Sequence, residues 1–441
     1  MESNKIAVEQ VLANLKIDKL NDMQLASIEA NRKHKDVLLL SATGSGKTIA
    51  YLLPILEQLD PSSQQTQALI IVPTRELAQQ IEQVFRAMGT GLKITSCYGG
   101  HSREVEDNNL KQPPAILVGT PGRLTDHFER GNITADAIKT LVLDEFDKSL
   151  EMGFDEQMIF ILRHLSNINK RILTSATDAV EIPDFVELKH YQRLDFLTKE
   201  TAVPTLEIKT VDSPEKDKTT TLFRLLCHLG ANQSIVFCNH RESVERTSEF
   251  LTGKGIINTF YHGGLEQQDR DSALCKFRNG SADVLVTTDL GSRGLDIPDV
   301  RYIIHYHLPP QADPFIHRNG RTARMGAEGT AIMILSQDEH VPSYVGFKPA
   351  KMELPEEVVL PPMPKWITLF IAAGKKDKVN KIDIVGFLAQ KGQLKKEEIG
   401  LIEVKDYSSF VAVRLSKAEN TLKLVRNEKI KNQKVRIDVA K

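Results

Sequence analysis

The chain has 441 residues, of which 41% are hydrophobic and 26% are charged, and its net charge is −1. These values are ordinary for a globular protein, and the length predicts two to four domains. The first ten residues lack the basic and then apolar run of a secretory signal, and no apolar stretch approaches the roughly 20 residues that span a bilayer. We therefore expect a cytoplasmic protein with no membrane partner.

Cysteine usage gives no sign of a metal centre. The four cysteines are scattered without CxxC spacing, which indicates neither a zinc site nor a disulfide framework. No obligate protein partner is indicated either, and a monomer is expected.

The charge is unevenly distributed along the chain. Residues 365–441 contain about eighteen Lys and Arg against about nine Asp and Glu, so this segment carries roughly +9 and the remainder roughly −10. A polyanion such as nucleic acid is the partner that this charge favours, although a solvated basic surface is the common alternative.

Short apolar segments rich in β-branched residues alternate with helical segments, which predicts parallel sheets covered on both faces. We expect an α/β fold with two such domains, residues 1–205 and 206–343, that join near residues 200–215, where prolines interrupt the pattern. The predicted strands are 37–40, 68–72, 115–118, 140–143 and 171–174 in the first domain, and 234–237, 283–287, 301–305 and 330–335 in the second.

The last hundred residues differ in character. Five prolines fall between residues 344 and 364, which predicts a semi-rigid extended linker. Residues 365–441 then alternate strand-like and helix-like segments, which fits a small α+β domain of the ferredoxin or RNA-recognition type.

A glycine-rich sequence, SATGSGKT at residues 41–48, follows the first predicted strand and precedes a helix. Glycines let backbone N–H groups approach phosphate oxygens, Lys47 can reach the β- and γ-phosphates, and the Thr48 hydroxyl can ligate Mg²⁺. A glycine-rich turn without a ligand is the alternative, which the strand, loop and helix context disfavours.

An acidic pair follows a second apolar strand in the sequence LVLDEFD. Acidic residues are common in a first helical turn, so the pair alone does not define a site. Beside a phosphate loop, however, Asp144 is placed to hold magnesium and Glu145 to orient and deprotonate the attacking water. The hydroxyls of Ser175 and Thr177, after another strand, are expected to hydrogen-bond Asp147.

A basic segment of the second domain, HRNGRTAR at residues 317–324, spaces its arginines three apart. On one helix face, Arg321 and Arg324 would both reach one triphosphate and act as arginine fingers. A basic surface helix is the alternative for this segment taken alone.

These motifs belong to a longer series that runs in one order through both α/β domains. The series reads Gln24, SATGSGKT, PTRELA (73–78), Gly99-Gly100, TPGR (120–123), DEFD, SAT, Thr288-Asp289, RGLD (293–296) and HRNGRTAR. The chain thereby resembles the DEAD-box RNA helicases of helicase superfamily 2. The resemblance implies an RNA-dependent ATPase and ATP-dependent RNA helicase, whose two RecA-like domains close over Mg-ATP and bend one RNA strand.

The resemblance also assigns residues. For the nucleotide it implies Gln24, Thr43, Gly44, Ser45, Gly46, Lys47, Thr48, Asp144, Gly294 and Asp296. For RNA it implies Pro73, Thr74, Arg75, Gly100, Thr120, Pro121, Arg123, Thr287 and Arg293. Asp147, Ser175, Thr177 and His317 would couple the two sites.

Two positions depart from the family pattern. Phe146 stands where the family has Ala, and we expect its side chain to fill the domain core away from the nucleotide. Ile17 stands where the family has an adenine-stacking aromatic, so hydrogen bonding through Gln24 is expected without that stacking.

The C-terminal segment resembles the RNA-binding domain of the DbpA branch of this family. Only Phe410 is aromatic at the positions where such a sheet stacks bases, so basic residues are expected to carry the affinity: Lys375, Lys376, Lys378 and Arg414. The implied target is structured large-subunit ribosomal RNA during ribosome assembly. The alternatives are a generic basic tether for this segment and, for the whole chain, a DNA remodeller or an RNA clamp without hydrolysis.

Overall fold

The structure is a computed structural model that describes residues 8–42, 44–100, 103–178, 182–197, 206–289, 300–322 and 329–440. Among these, residues 8–197 form one compact unit and residues 206–440 form a second. No described helix is long and apolar enough to cross a bilayer.

The first unit is built on a parallel sheet. Its strands are β1 (Asp36–Leu40), β2 (Ala68–Ile71), β3 (Ile94–Cys97), β4 (Ile116–Gly119), β5 (Thr140–Leu143), β6 (Lys170–Ser175) and β7 (Gln192–Asp195). They pair in the order β3-β4-β2-β5-β6-β1-β7, and every pairing is parallel. The described helices are α1 (Val8–Leu15), α2 (Asp22–Lys33), α3 (Lys47–Gln58), α4 (Arg75–Ala87), α5 (Arg103–Leu110), α6 (Pro121–Glu129), α7 (Phe146–Glu151) and α8 (Asp155–Arg163).

Helices cover both faces of this sheet, as the continuous apolar strands predict. Strand β5 is buried throughout, with Val142 in the core on one face and Leu141 and Leu143 in the core on the other. Successive side chains of a strand point to opposite faces, so each strand contributes to both cores.

The second unit begins with another parallel sheet. Its strands are β8 (Leu206–Asp212), β9 (Ser234–Cys238), β10 (Asn258–Tyr261), β11 (Val284–Thr288), β12 (Tyr302–His305), β13 (Gly329–Leu335) and β14 (Ala350–Lys351), in the order β10-β11-β9-β12-β13-β8-β14. The described helices are α9 (Thr219–Leu229), α10 (Arg241–Gly253), α11 (Gln267–Arg278) and α12 (Ala312–Asn319).

All nine predicted strands are confirmed, and the strands that the sequence pattern missed are polar or lie at an edge. Strand β7 is a half-buried edge strand, and β10 contains Asn258 and Thr259. Within the predicted junction near 200–215, residues 206–212 form β8, which pairs with β13 over its whole length and so belongs to the second sheet.

The proline-rich segment 344–364 is not a free spacer. Lys351 pairs with Thr210 in the sheet, and the Pro355 carbonyl accepts a hydrogen bond from Arg224 at 2.8 Å. Met352 and Leu354 pack against the core of the second sheet. The predicted extended conformation is present in part, but the segment lies along the domain that precedes it.

The C-terminal domain is a small antiparallel sheet with two helices on one face. Its elements are β15 (Trp366–Ile371), α13 (Lys381–Gln390), β16 (Ile399–Val404), β17 (Ser409–Arg414), α14 (Leu415–Val425), β18 (Lys429–Ile430), β19 (Gln433–Lys434) and β20 (Ile437–Val439). The sheet order is β16-β17-β15-β20. Sequence analysis missed β16, because Gly400 resembles a turn residue there and accompanies an irregularity in the pairing.

Candidate nucleotide and RNA sites

Strand order in the first unit separates two groups of predicted site residues. Except for Gln24 on α2, the predicted nucleotide and coupling residues of this unit follow β1, β5 and β6, and these three strands are neighbours in the sheet. The predicted RNA residues of this unit follow β2, β3 and β4, which are neighbours in the other half of the sheet. Carboxyl ends of parallel strands meet at one edge, so the two groups lie side by side there.

The phosphate loop leads directly into α3. Gly44 and Gly46 have φ values of 82° and 90°, a region that glycine adopts without strain. Helix α3 begins at Lys47, whose Nζ donates hydrogen bonds to the carbonyls of Ser41 and Ala42 at 2.6 and 2.9 Å. The loop therefore presents a helix N-terminus with a lysine folded against it, an arrangement suited to phosphate. Thr43 lies outside the described residues.

Gln24 is fixed beside this loop. Asn21 and Gln24 form a capping box at the start of α2, and Nε2 of Gln24 donates to the Gly46 carbonyl at 3.3 Å. A Cβ on Gly46 would lie 2.5 Å from that nitrogen, so glycine is needed for this approach as well as for the backbone turn.

Asp144 lies at the end of β5 with both carboxylate oxygens engaged. Tyr51, fully buried on α3, donates its hydroxyl proton to Oδ2 at 2.8 Å, and Thr174 on β6 donates to Oδ1 at 2.5 Å. Burial, and then the Asp144 charge, raise the pKa of Tyr51 well above its usual value, so Tyr51 acts here as a proton donor. Sequence reasoning missed Tyr51 and Thr174; the one available signal was a tyrosine in the otherwise aliphatic segment IAYLLPIL.

Glu145 has left-handed backbone angles, φ 47° and ψ 49°. Its amide donates to Asp144 Oδ1 at 3.1 Å and to the Thr174 hydroxyl at 3.2 Å. A non-glycine residue held in this conformation costs about 1–3 kcal/mol, and such residues cluster at functional sites. The hydrogen bonds of the Glu145 amide therefore hold the residue at a sharp turn out of the strand.

Asp147 is hydrogen-bonded by one of the two predicted hydroxyls. Thr177 donates to its Oδ2 at 3.2 Å, whereas Ser175 donates to the Thr177 carbonyl and not to Asp147. The expected hydrogen bond from Ser175 to Asp147 is therefore absent, because the Ser175 hydroxyl is used within the tight turn after β6. Burial raises the pKa of Asp147, and Lys148, 3.8 Å away, opposes this shift.

Phe146 is buried in the core of the first unit, as expected, with 3% of its surface exposed. Its side chain also borders a cavity of about 310 Å³ whose wall includes Ser175 and Thr177. The ring therefore packs in the core and lines the same cavity as two of the predicted coupling residues.

The predicted RNA residues of the first unit lie at helix starts and at a glycine turn. Thr74, which follows Pro73, caps α4 by accepting the Leu77 amide, and Thr120 precedes Pro121, the first residue of α6. Helix N-termini present unpaired N–H groups that suit phosphates.

Arg75 packs on the glycine pair that follows β3. A Cβ at Gly99 would lie 3.1 Å from Nη2 of Arg75, and Gly100 has a φ of 94°. Arg123 is different, because only 9% of its side chain is exposed and its Nε donates to Glu106 at 2.5 Å. Arg123 is therefore largely committed to the protein interior.

Arg321 does not lie on a helix face, contrary to expectation. Helix α12 ends at Asn319 and Gly320 follows it, so Arg321, 4% exposed, lies beyond the helix. Arg318 is buried and bidentate with Asp289, at 2.5 and 2.7 Å, which sequence reasoning missed. That pair ties α12 to the end of β11.

Two other predicted site residues of this domain are buried. His317 is buried, and Thr287 is fully buried with its hydroxyl donated to the Tyr261 carbonyl at 2.8 Å. The predicted site residues that lie outside the described residues are Arg293, Gly294, Asp296 and Arg324.

The predicted basic residues of the C-terminal domain occupy two places. Lys375, Lys376 and Lys378 are exposed on one loop after β15. The guanidinium of Arg414 lies over the ring of Trp366, 4.3 Å from its centroid.

The outer face of the C-terminal sheet is covered by α11 of the preceding domain. Phe410, the one aromatic at the positions where such a sheet stacks bases, is 1% exposed and packs with Cys275 of α11 and with Ala440. Thr368 is hydrogen-bonded to Asn279 at 2.9 Å. Phe410 therefore cannot stack on RNA in this conformation, in agreement with the expectation that basic residues rather than stacked aromatics carry the affinity.

Charged residues complete this contact. Glu403 pairs with Arg278 at 3.2 Å and with Lys405 at 3.0 Å, and Lys405 also meets Asp271 of α11 at 3.5 Å. Burial opposes ionisation of Glu403, but Lys405 and Arg278 outweigh it and lower its pKa to about 2.

Comparisons with known proteins agree with this arrangement. Three family models match: DEAD/DEAH box helicase at residues 21–185, helicase conserved C-terminal domain at 217–326, and DbpA RNA binding domain at 368–439. The chain is 35% identical to the ATP-dependent RNA helicase DbpA of Escherichia coli, over 96% of this chain and 94% of that protein. The DbpA helicase of Bacillus subtilis is 30% identical, over 95% and 94%.

The fold has solved counterparts. The structure of S. cerevisiae Dbp5 bound to RNA and ADP BeF3 aligns with a TM-score of 0.68 and 26% identity, over 78% of this chain and 93% of that chain. The two parallel-sheet domains are RecA-like domains in tandem. The chain belongs to the DEAD-box family of ATP-dependent RNA helicases. Within that family, its C-terminal domain and the two relatives named above are of the DbpA type.

Proposed function

We propose that this helicase hydrolyses Mg-ATP to remodel structured large-subunit ribosomal RNA during ribosome assembly, acting in the cytoplasm as a monomer. The observation that supports the chemistry is the acidic pair at the end of β5, with Asp144 hydrogen-bonded by Tyr51 and Thr174 and Glu145 held at a sharp turn. Thr48 and Asp144 offer the hard oxygen ligands that Mg²⁺ prefers.

Each group has a proposed role in phosphoryl transfer. Magnesium held by Thr48 and Asp144 would neutralise part of the negative charge of the triphosphate. Lys47 would bind these oxygens, Gln24 would recognise the adenine, and Glu145 would orient the attacking water and take its proton. Arg321 and Arg324 would stabilise the charge of the transition state.

Substituting Glu145 tests this assignment. Glu145→Gln is expected to keep Mg-ATP binding while lowering turnover by roughly 10²-fold or more, the scale lost when a positioned base is removed. Glu156→Gln, an exposed position on α8, is the matched control. RNA-stimulated ATP hydrolysis measures the effect, and unchanged turnover would refute the role of Glu145.

The proposed ribosomal target is supported by the DbpA-type domain and by its exposed lysine loop. Because α11 covers the sheet face, the predicted RNA contacts that remain exposed in the C-terminal domain are Lys375, Lys376 and Lys378. Phosphate contacts of this kind provide affinity that falls steeply with salt.

A charge-matched comparison separates this loop from a generic basic tether. Lys375→Gln with Lys376→Gln is expected to weaken binding to a large-subunit ribosomal RNA fragment and to flatten its salt dependence. Lys395→Gln with Lys396→Gln removes the same charge from another exposed place in the domain. Equal losses in both variants, or no preference of the wild type for ribosomal over unrelated structured RNA, would support the tether instead.

A further inference from the structure

Glu106 of α5 is a buried carboxylate that accepts three hydrogen bonds. It is 1% exposed. Its Oε1 accepts the Tyr98 amide at 3.2 Å, and its Oε2 accepts Nε of Arg123 at 2.5 Å and Nε2 of His127 at 2.7 Å. A buried carboxylate with this many partners is strongly held in place, because each lost partner would leave a buried charge less compensated.

The hydrogen bonds from Asn132 to His127 and Asp107 determine whether His127 donates to Glu106 or accepts from it. Asn132 donates from Nδ2 to Nδ1 of His127 at 3.1 Å, so that nitrogen is an acceptor and the ring proton is on Nε2. Asn132 also donates to Asp107 at 2.8 Å, which fixes the orientation of its amide. His127 therefore donates to Glu106, and all three groups around that carboxylate are donors.

The same place superficially resembles a metal site. Among the described residues, Cys97, Glu106 and His127 bring three ligand types within 4.8 Å of one another. Here, however, the guanidinium of Arg123 is the cation that meets the carboxylate, and Glu106 already uses both oxygens. The geometry is that of a buried ion pair with a histidine attached.

Two of the three donors lie in or next to the segments assigned to RNA. Tyr98 immediately precedes Gly99-Gly100 at the end of β3, and Arg123 is the last residue of TPGR at the start of α6. Strands β3 and β4 are neighbours, and the Thr120 amide also donates to the Cys97 carbonyl at 3.1 Å. One side chain therefore bonds both segments at the edge of the sheet.

We propose that Glu106 is a positioning residue that sets the spacing between the glycine turn and the start of α6, so that both segments meet successive phosphates of one RNA strand. Arg123 then acts chiefly as the anchor through which Glu106 holds α6. The inference rests on the proposed RNA site of the first unit, and it makes Glu106 and His127 determinants of RNA affinity without a contact to RNA.

Substituting Glu106 should separate RNA binding from nucleotide chemistry. In Glu106→Gln one oxygen becomes an amide donor that faces Arg123 and His127, so the spacing should relax. We expect the Kd for single-stranded RNA and the KM for RNA to rise about 10- to 100-fold, the scale of a charge-assisted hydrogen bond. The Kd of a fluorescent ADP analogue and kcat at saturating RNA should stay close to wild type.

Three further variants make the test decisive. Glu104→Gln changes the same charge on the exposed side of α5 and should behave as wild type. Glu106→Asp keeps the charge but moves the carboxylate oxygens away from their donors. If Glu106→Gln does not fold, this variant should show the same loss of RNA affinity with unchanged nucleotide affinity and kcat. In the Arg123→Gln background, the Glu106→Gln effect should shrink, because coupled residues are not additive.

The outcomes also distinguish this inference from the proposed function. If Arg75→Gln weakens RNA binding and neither Glu106 variant does, the RNA site stands and the positioning role is refuted. If Arg75→Gln has no effect either, RNA binds elsewhere and both fail. A fall in kcat and nucleotide affinity that equals the loss of RNA affinity would show that Glu106 merely supports the fold.

Discussion

The hydroxyl of Tyr51 lies 2.8 Å from Oδ2 of Asp144 and donates its proton to that buried carboxylate. Tyr51→Phe removes only this hydroxyl. We expect the free energy of unfolding to fall by about 1.5–3 kcal/mol, the scale of a hydrogen bond to a charged group. Denaturant unfolding measures the change, and Tyr407→Phe, at a position that is 58% exposed, is the control. Equal stability of the two variants would mean that the bond contributes nothing.

Thr174 joins the acidic pair, since its hydroxyl donates to Asp144 and accepts the Glu145 amide. Thr174→Val keeps the shape and removes both bonds, so the turn at Glu145 should shift. We expect kcat of RNA-stimulated ATP hydrolysis to fall roughly 10- to 100-fold, the loss that a small misplacement of a catalytic group produces. Thr174→Ser, which retains the hydroxyl, should keep most of the activity. Equal kcat values for the Val and Ser variants would show that the hydrogen bonds of this hydroxyl do not contribute to hydrolysis.

Phe146→Ala restores the residue that the family pattern has at this position. Because Phe146 is buried in the core, the substitution should destabilise the protein by about 3–5 kcal/mol while leaving the hydrolytic groups in place. Thermal unfolding and ATPase assays below the transition measure both effects. Phe347→Ala, at a position that is 57% exposed, controls for the loss of a ring. Higher turnover without lost stability would show that Phe146 restrains the site.

His305 should make the second unit sensitive to acid. Burial, and then Arg318, lower its pKa to about 3, against about 6.5 in an unfolded chain. Between these values the unfolded chain binds a proton that the native state does not. The free energy of unfolding therefore decreases as the pH falls below about 6.5, by up to about 1.4 kcal/mol per pH unit from this residue.

A glutamine in its place does not titrate and can still donate to Asn319. Unfolding of His305→Gln should therefore depend less steeply on pH between about 6.5 and 4 than unfolding of the wild type. His190→Gln, at an exposed position, should retain the wild-type slope. Parallel curves for His305→Gln and wild type would exclude this contribution.

Sequence reasoning succeeded where one local pattern determines the outcome. The buried strands, the glycine loop before Lys47 and the acidic pair after β5 each follow from neighbouring residues, because hydrophobic runs and turn residues act locally. It failed where the structure depends on a contact between two segments that are distant in sequence. The partner of Tyr51 is 93 positions away, the α12 face depends on Gly320, and Arg318 is bound by Asp289 of another element.

The contact between α11 and the C-terminal sheet limits how freely that domain can be exchanged. Ending the chain near residue 364 would uncover Cys275 and leave Arg278 and Asp271 without Glu403 and Lys405. A shortened protein would thus carry a new apolar surface and charges without these partners. Its lower solubility would reduce the measured activity without any change in the catalytic site. Conversely, a graft of this domain onto another helicase core would need the surface residues of α11 as well as the 77 residues that follow Pro364. Substitutions in the helix and in the sheet therefore have to be compatible with each other.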